Sequence, residues 1–129
     1  METTHPEVRL LVPAMLEFIR LARLAAAALA SRKGFTYDEV EDLRIAIDEL
    51  CFTLVGTAGR EGVLVLHYSM VPEGLSVEGV GRFTDTATRH VKLSPLSDQI
   101  LSAVVDEHEV TPDGANGPAF RLLKRHTTT

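Results

Sequence analysis

Residues 36–56 read Thr36-Tyr37-Asp38-Glu39-Val40-Glu41-Asp42-Leu43-Arg44-Ile45-Ala46-Ile47-Asp48-Glu49-Leu50-Cys51-Phe52-Thr53-Leu54-Val55-Gly56. The Thr36 hydroxyl and the Glu39 carboxylate three residues on form a capping box, each satisfying an amide that the first helical turn leaves without a partner. Val40, Leu43, Ile47, Leu50 and Leu54 then recur at helical spacing, and Gly56 with Gly59 stops the helix near Val55. Such a one-sided stripe needs a second layer to cover it. Ile45 and Phe52 lie one heptad apart on the opposite side, beside Glu49. Either a later loop, Arg82 to Ser94, folds over them, or they form a mixed apolar and acidic surface for a protein partner.

Upstream, Val8 to Val12 is a short apolar run ended by Pro13, which suits an edge strand or the approach to a helix. A first helix follows from Ala14 to Arg32, with Met15, Phe18, Ile19, Ala22, Ala26 and Leu29 inward and Gly34 as its stop. Downstream, Val63 to Ser69 and Leu75 to Val80 alternate as strands do, joined through Val71-Pro72-Glu73-Gly74 as a hairpin. A third helix is read from Pro95 to Asp106, capped by Ser94, with Leu96, Ile100, Ala103 and Val104 inward. A strand at His108 to Val110, a turn over Pro112 to Gly117 and a strand from Pro118 to Lys124 make a second hairpin. The order predicts an α+β fold: a two-layer sandwich with three helices on one face of a mixed, mostly antiparallel sheet, in one domain over 1–129.

With 129 residues, 45% of them apolar, the chain can bury a core without metal or disulfides. Its single Cys51 reads as a small buried apolar group in a reducing compartment. The N-terminus lacks a secretion signal, and no stretch of membrane-spanning length is free of charge, so a cytoplasmic protein is expected. A net charge of −5 argues against direct nucleic-acid binding. Of 18 acids and 13 bases, six (Asp38, Glu39, Glu41, Asp42, Asp48, Glu49) and one (Arg44) fall between residues 38 and 50, and the remainder, 12 of each, balances. That window reads either as a solvated helix face or as a surface that steers a basic partner. The five histidines show no ligand spacing, Gly79-Val80-Gly81 is too short for a dinucleotide loop, and Arg121, Lys124 and Arg125 read as a solvated edge.

The run Glu41 to Cys51 resembles the helix that opens the ATP site in anti-sigma-factor serine kinases, bacterial partner-switching regulators with the Bergerat, or histidine-kinase-like ATPase, fold. Ser31 to Glu39 looks like the family's interhelix segment, and Ile100 to Val110 like its late helix running into the last hairpin. The order of elements agrees over residues 8 to 125. The resemblance implies that Glu49 stands where the family has its catalytic carboxylate. One turn on, Thr53 replaces an asparagine that holds magnesium. Gly79 takes the place of the aspartate that accepts from the adenine amine, and Gly81 that of the following glycine. Glu78 is adjacent to the missing acceptor but points to the other face of a strand unless a bulge re-aims it. The lid that offers amides to the phosphates is glycine-rich in the family, yet no glycine occurs between Arg82 and Val110.

An adenine amine buried without its acceptor forfeits about 1 to 3 kcal/mol, and losing the amide cradle and a metal ligand removes more. The expectation is therefore a non-catalytic regulator that sequesters a sigma factor, as a homodimer, and is released by an anti-sigma-factor antagonist. Asp42, Ile45, Glu49 and Phe52 are its expected contact residues, and no cofactor is required. The alternative is a working ATP-dependent serine kinase, with Glu49 as base, Thr53 on magnesium and Glu78 replacing the acceptor. A structural subunit with no role in transcription is the third reading.

Overall fold

The computed structural model describes residues 5–84 and 91–127. The order is β1 (Glu7–Pro13), α1 (Leu16–Arg32), α2 (Tyr37–Val55), β2 (Gly62–Val71), β3 (Gly74–Phe83), α3 (Pro95–Val104), β4 (Glu107–Gly114) and β5 (Gly117–Arg125). The five strands form one sheet ordered β1-β2-β3-β5-β4. All four pairings are antiparallel, so the sheet is not mixed. Leu64, Leu66 and Tyr68 of β2, Leu75 and Val77 of β3, and Phe120 and Leu122 of β5 share a core with Leu43, Ala46, Ile47, Leu50 and Leu54 of α2. The expected α+β two-layer sandwich is thus present, with the opposite face of the sheet left open.

The capping box at Thr36 is complete: Glu39 N–H donates to Thr36 Oγ1 at 3.2 Å and Thr36 N–H donates to Glu39 Oε1 at 2.8 Å. The other oxygen of Glu39 accepts from both the amide and the hydroxyl of Thr127, at 2.8 and 2.9 Å, which ties the chain's last described residue to the start of α2. Burial pushes the Glu39 carboxyl up, but these hydrogen bonds outweigh it and hold the group at about 2. Because the folded value lies below the unfolded one, this stabilisation is complete above about pH 4.5 and fades as the pH falls from there through 2. Glu39→Gln is expected to cost about 1 kcal/mol at pH 7 after discounting for solvent screening. Urea titrations between pH 2 and 6 should show the variant's midpoint varying less steeply with pH than the wild type's; parallel slopes would remove Glu39 from the account.

Several boundaries differ from the sequence reading, each for a local reason. α1 starts at Leu16 rather than Ala14, because Ala14 is held by the sheet: its N–H donates to Gly62 O at 3.0 Å and its carbonyl accepts from Arg60 N at 2.8 Å. Met15, expected inward, is 45% exposed. β2 and β3 run longer than expected and turn over Pro72 and Glu73. α3 ends at Val104, since Val105 is already extended and Asp106 N–H donates to Leu123 O. Its inward residue is Leu101, fully buried, whereas Leu96 is 66% exposed and Ala103 faces solvent. In the last hairpin the turn shrinks to Ala115 and Asn116, and β4 continues through Pro112 across an irregularity between Thr111 and Gly114. Proline is tolerated there because β4 is a sheet edge.

Candidate functional site

Glu49 sits half-buried on the α2 face that α3 approaches. Its Oε2 accepts from the Ser97 hydroxyl at 2.8 Å, and that hydroxyl accepts from Ser94 Oγ at 3.0 Å. Ser94 Oγ also accepts from Ser97 N–H at 3.0 Å, and Asp98 N–H donates to Ser94 O at 2.9 Å. With Pro95 lacking an N–H, the amides at the start of α3 are largely taken up inside the chain. Thr53 Oγ1 donates to the Glu49 carbonyl at 2.8 Å, the usual back-bond of a hydroxyl one turn along a helix.

On the sheet, Gly79 and Gly81 are buried and face the helical layer with Leu75 and Val77. A Cβ at Gly79 would lie 2.3 Å from Phe120 Cε2, because β5 sets Phe120 directly opposite Gly79 and its ring covers the glycine. A Cβ at Gly81 would likewise meet the Phe83 ring at 2.3 Å. The Arg60 guanidinium stacks over that ring, 4.0 Å from its centroid. No bulge interrupts β3 at Glu78, which pairs in register with His67 and Arg121 and is exposed on the open face. The structure therefore brings Gly79 and Gly81 together with two aromatic rings and leaves Glu78 on the far side of the sheet. Neither ring was found in the sequence: Phe83 fell in the stretch read as a loop, and β3 in fact runs on through it, two residues past Gly81 on the same face, while the place of Phe120 depends on the β3–β5 register.

The acidic window is mostly paired within the chain. Asp48 Oδ2 accepts from Arg23 Nη1 at 2.7 Å, Glu41 pairs with Arg44 at 3.2 Å, and Asp42 pairs with Lys124 at 3.5 Å while the Lys124 ammonium donates to Val104 O. Glu39 is held by its cap, which leaves Asp38 and Glu49 least neutralised. Ile45 and Phe52 are 43% and 42% exposed on the same ridge. Residues 85–90 of the loop expected to cover them lie outside the described residues. Cys51 is fully buried, and burial, reinforced by the Asp48 charge, pushes its thiol up, so it stays protonated and inert. Among the described residues no three His, Cys, Asp or Glu side chains cluster as a metal site requires, and no helix is long and apolar enough to cross a membrane.

Three helices over an antiparallel sheet, with a carboxylate midway along the second helix and glycines on the strand beneath, define a histidine-kinase-like ATPase fold. In sequence the chain is similar to serine-protein kinases named RsbW. It is 33% identical over 100 residues to the serine-protein kinase RsbW of Listeria innocua, an alignment spanning 74% of this chain and 64% of that protein. It is 35% identical over 80 residues to the protein of that name from Bacillus subtilis, spanning 60% of this chain and 50% of the relative. With that from Halalkalibacterium halodurans it shares 41% over 63 residues, 48% of this chain and 39% of the relative. The chain thus spans less than two thirds of the length of these curated relatives. No family model matches it.

Proposed function

We propose that this chain is a cytoplasmic regulator of transcription that acts by binding proteins in a partner-switching system, with an ATP site that no longer works. It holds a sigma factor, as a homodimer, and an anti-sigma-factor antagonist releases it by competition. The observation that carries this reading is the Phe120 ring seated over Gly79, in the space that an acceptor for adenine would have to enter. Two further features support it. The start of α3 spends Ser97 N–H on its own cap, leaving little of a phosphate cradle, and Thr53 spends its hydroxyl hydrogen on the backbone. As they stand, these residues do not fit a nucleotide with its magnesium, and Glu78 cannot supply the acceptor from the other face.

Glu49, accepting from a serine hydroxyl at 2.8 Å, keeps the kinase reading testable, since a carboxylate so placed is the right chemistry for activating one. Calorimetry with ATP and magnesium is expected to show no binding up to about 1 mM nucleotide, an affinity weaker than about −4 kcal/mol. Micromolar binding, or phosphate transfer to a serine of the antagonist, would replace this proposal with an active kinase using Glu49 and Thr53. Co-purification with a sigma factor separates the regulator from a structural subunit.

A further inference from the structure

We propose that the open face of the sheet docks a net-acidic amphipathic helix of a partner protein, laid across the strands of the β1–β3 half. This surface lies on the far side of the sheet from the α2 ridge and goes beyond the function proposed above. An antiparallel sheet commonly turns polar side chains to water on its uncovered face. Here the register lines up Leu11, Val65, Val80 and Ala119 in one row across β1, β2, β3 and β5, and Leu11 is 62% exposed. A partner seated on the row would take it out of water.

The charges left over on this face select the occupant. Arg9, Glu78 and Arg82 are exposed, and their side chains make no ion pair among the described residues. The β5–β4 half is neutralised by contrast: Arg121 pairs with Glu107 and Glu109, and Arg125 with Asp106 and Glu107. Two free bases against one free acid call for a partner of net negative charge. A second copy of this face would bring two bases and one acid of its own, leaving two arginines desolvated without partners. Nucleic acid or an anionic membrane would meet the Glu78 carboxylate. Arg9, Glu78 and Arg82 ring one hollow of about 170 Å³, floored by Val65 and Val80. That is below the roughly 300 Å³ at which small-molecule sites begin, and it suits one inserted side chain of a larger partner.

Spacing sets the shape of that partner. Glu78 and Arg82 lie four residues apart on β3, about 13 Å along the strand, and Val80 of the apolar row sits between them. A helix is about 10 to 12 Å across with its side chains, so one lying on the row reaches both flanks. A single extended strand, which fills only about 5 Å of width, does not. Arg9 and Glu78 share the other register row through His67, two strands and so about 10 Å apart, which matches the rise of one helical heptad. The partner helix therefore carries an acid facing Arg9, a base one heptad away facing Glu78, an acid on its opposite flank facing Arg82, and apolar residues between.

The probe is a fluorescent, alanine-based helical peptide of about 20 residues built to that pattern and titrated with the whole chain by anisotropy. It should bind, and Leu11→Asp should weaken it about tenfold or more, with an unchanged thermal midpoint showing that the fold is kept. Arg9→Glu and Glu78→Arg should each weaken it about three- to tenfold. Reversing the one peptide charge that faces the altered residue should restore the affinity to within about twofold. Binding no tighter than about 1 mM, a scrambled peptide of the same composition that binds as well, or a charge reversal that restores nothing overturns the proposal. So does a loss of self-association with Leu11→Asp in sedimentation velocity, which would give this face to a second copy of the chain.

Discussion

Gly79→Asp is expected to destabilise the protein by about 3 kcal/mol or more, enough to consume much of the stability of an ordinary small domain. Two costs add. The new Cβ would lie 2.3 Å from a ring that is itself only 3% exposed, so relief requires Phe120 to leave its packed position. The carboxylate would then be buried in the layer that holds Leu75, Val77 and Leu122, where it must either stay ionised at high cost or take up a proton. Phe120→Ala alone should also be costly, by about 3 to 5 kcal/mol, because it leaves a cavity. Combined, the two should cost at least about 1 kcal/mol less than their sum, since the alanine vacates the space that the carboxylate needs. Urea unfolding of the four proteins in the cycle measures this coupling. Strict additivity, or a Gly79→Asp variant as stable as wild type, would show that the ring does not occupy the acceptor's space.

The same residues show where the sequence could be read and where it could not. α2 was legible end to end because its information is local: a capping box three residues wide, a stripe at helical spacing and Gly56 at φ 79°, a backbone angle that glycine adopts without strain. The first hairpin was legible for the same reason. α3 was misread by one position because Ser97 looks polar and yet faces inward, where Glu49, distant in sequence, satisfies its hydroxyl. How far the acidic window is neutralised was hidden for a similar reason. Counting charges along the chain could not reveal that Arg23 and Lys124 arrive from α1 and β5 to neutralise Asp48 and Asp42. As for the site, the loss of the aspartate and asparagine was plain in the residues, but what fills the space came only from the register that sets Phe120 against Gly79.

Phe52→Ala is expected to weaken the proposed sigma-factor complex about 30-fold or more while changing stability by less than about 1 kcal/mol. The split follows from where the ring sits. Phe52 is 42% exposed and one heptad from Ile45, so in the free chain it contributes little to the core, whereas in a complex its remaining surface could be removed from water beside a second apolar side chain. Aromatic residues so placed carry most of the energy of an interface. Leu50, two residues away and fully buried, is the contrast: Leu50→Ala should lower stability by about 3 to 5 kcal/mol and reduce binding only through unfolding. The charges should matter less than the ring. Asp42 is shared with Lys124, and Glu49 is held by Ser97, so neutralising either rearranges contacts inside the chain before it affects a partner. Raising the salt from about 0.05 to 0.5 M should therefore weaken the complex only a few-fold, because paired surface charges project little field beyond a Debye length. Affinity measured by calorimetry alongside urea unfolding decides the matter. A Phe52→Ala chain that binds the sigma factor as tightly as wild type would place the contact surface away from this ridge of α2.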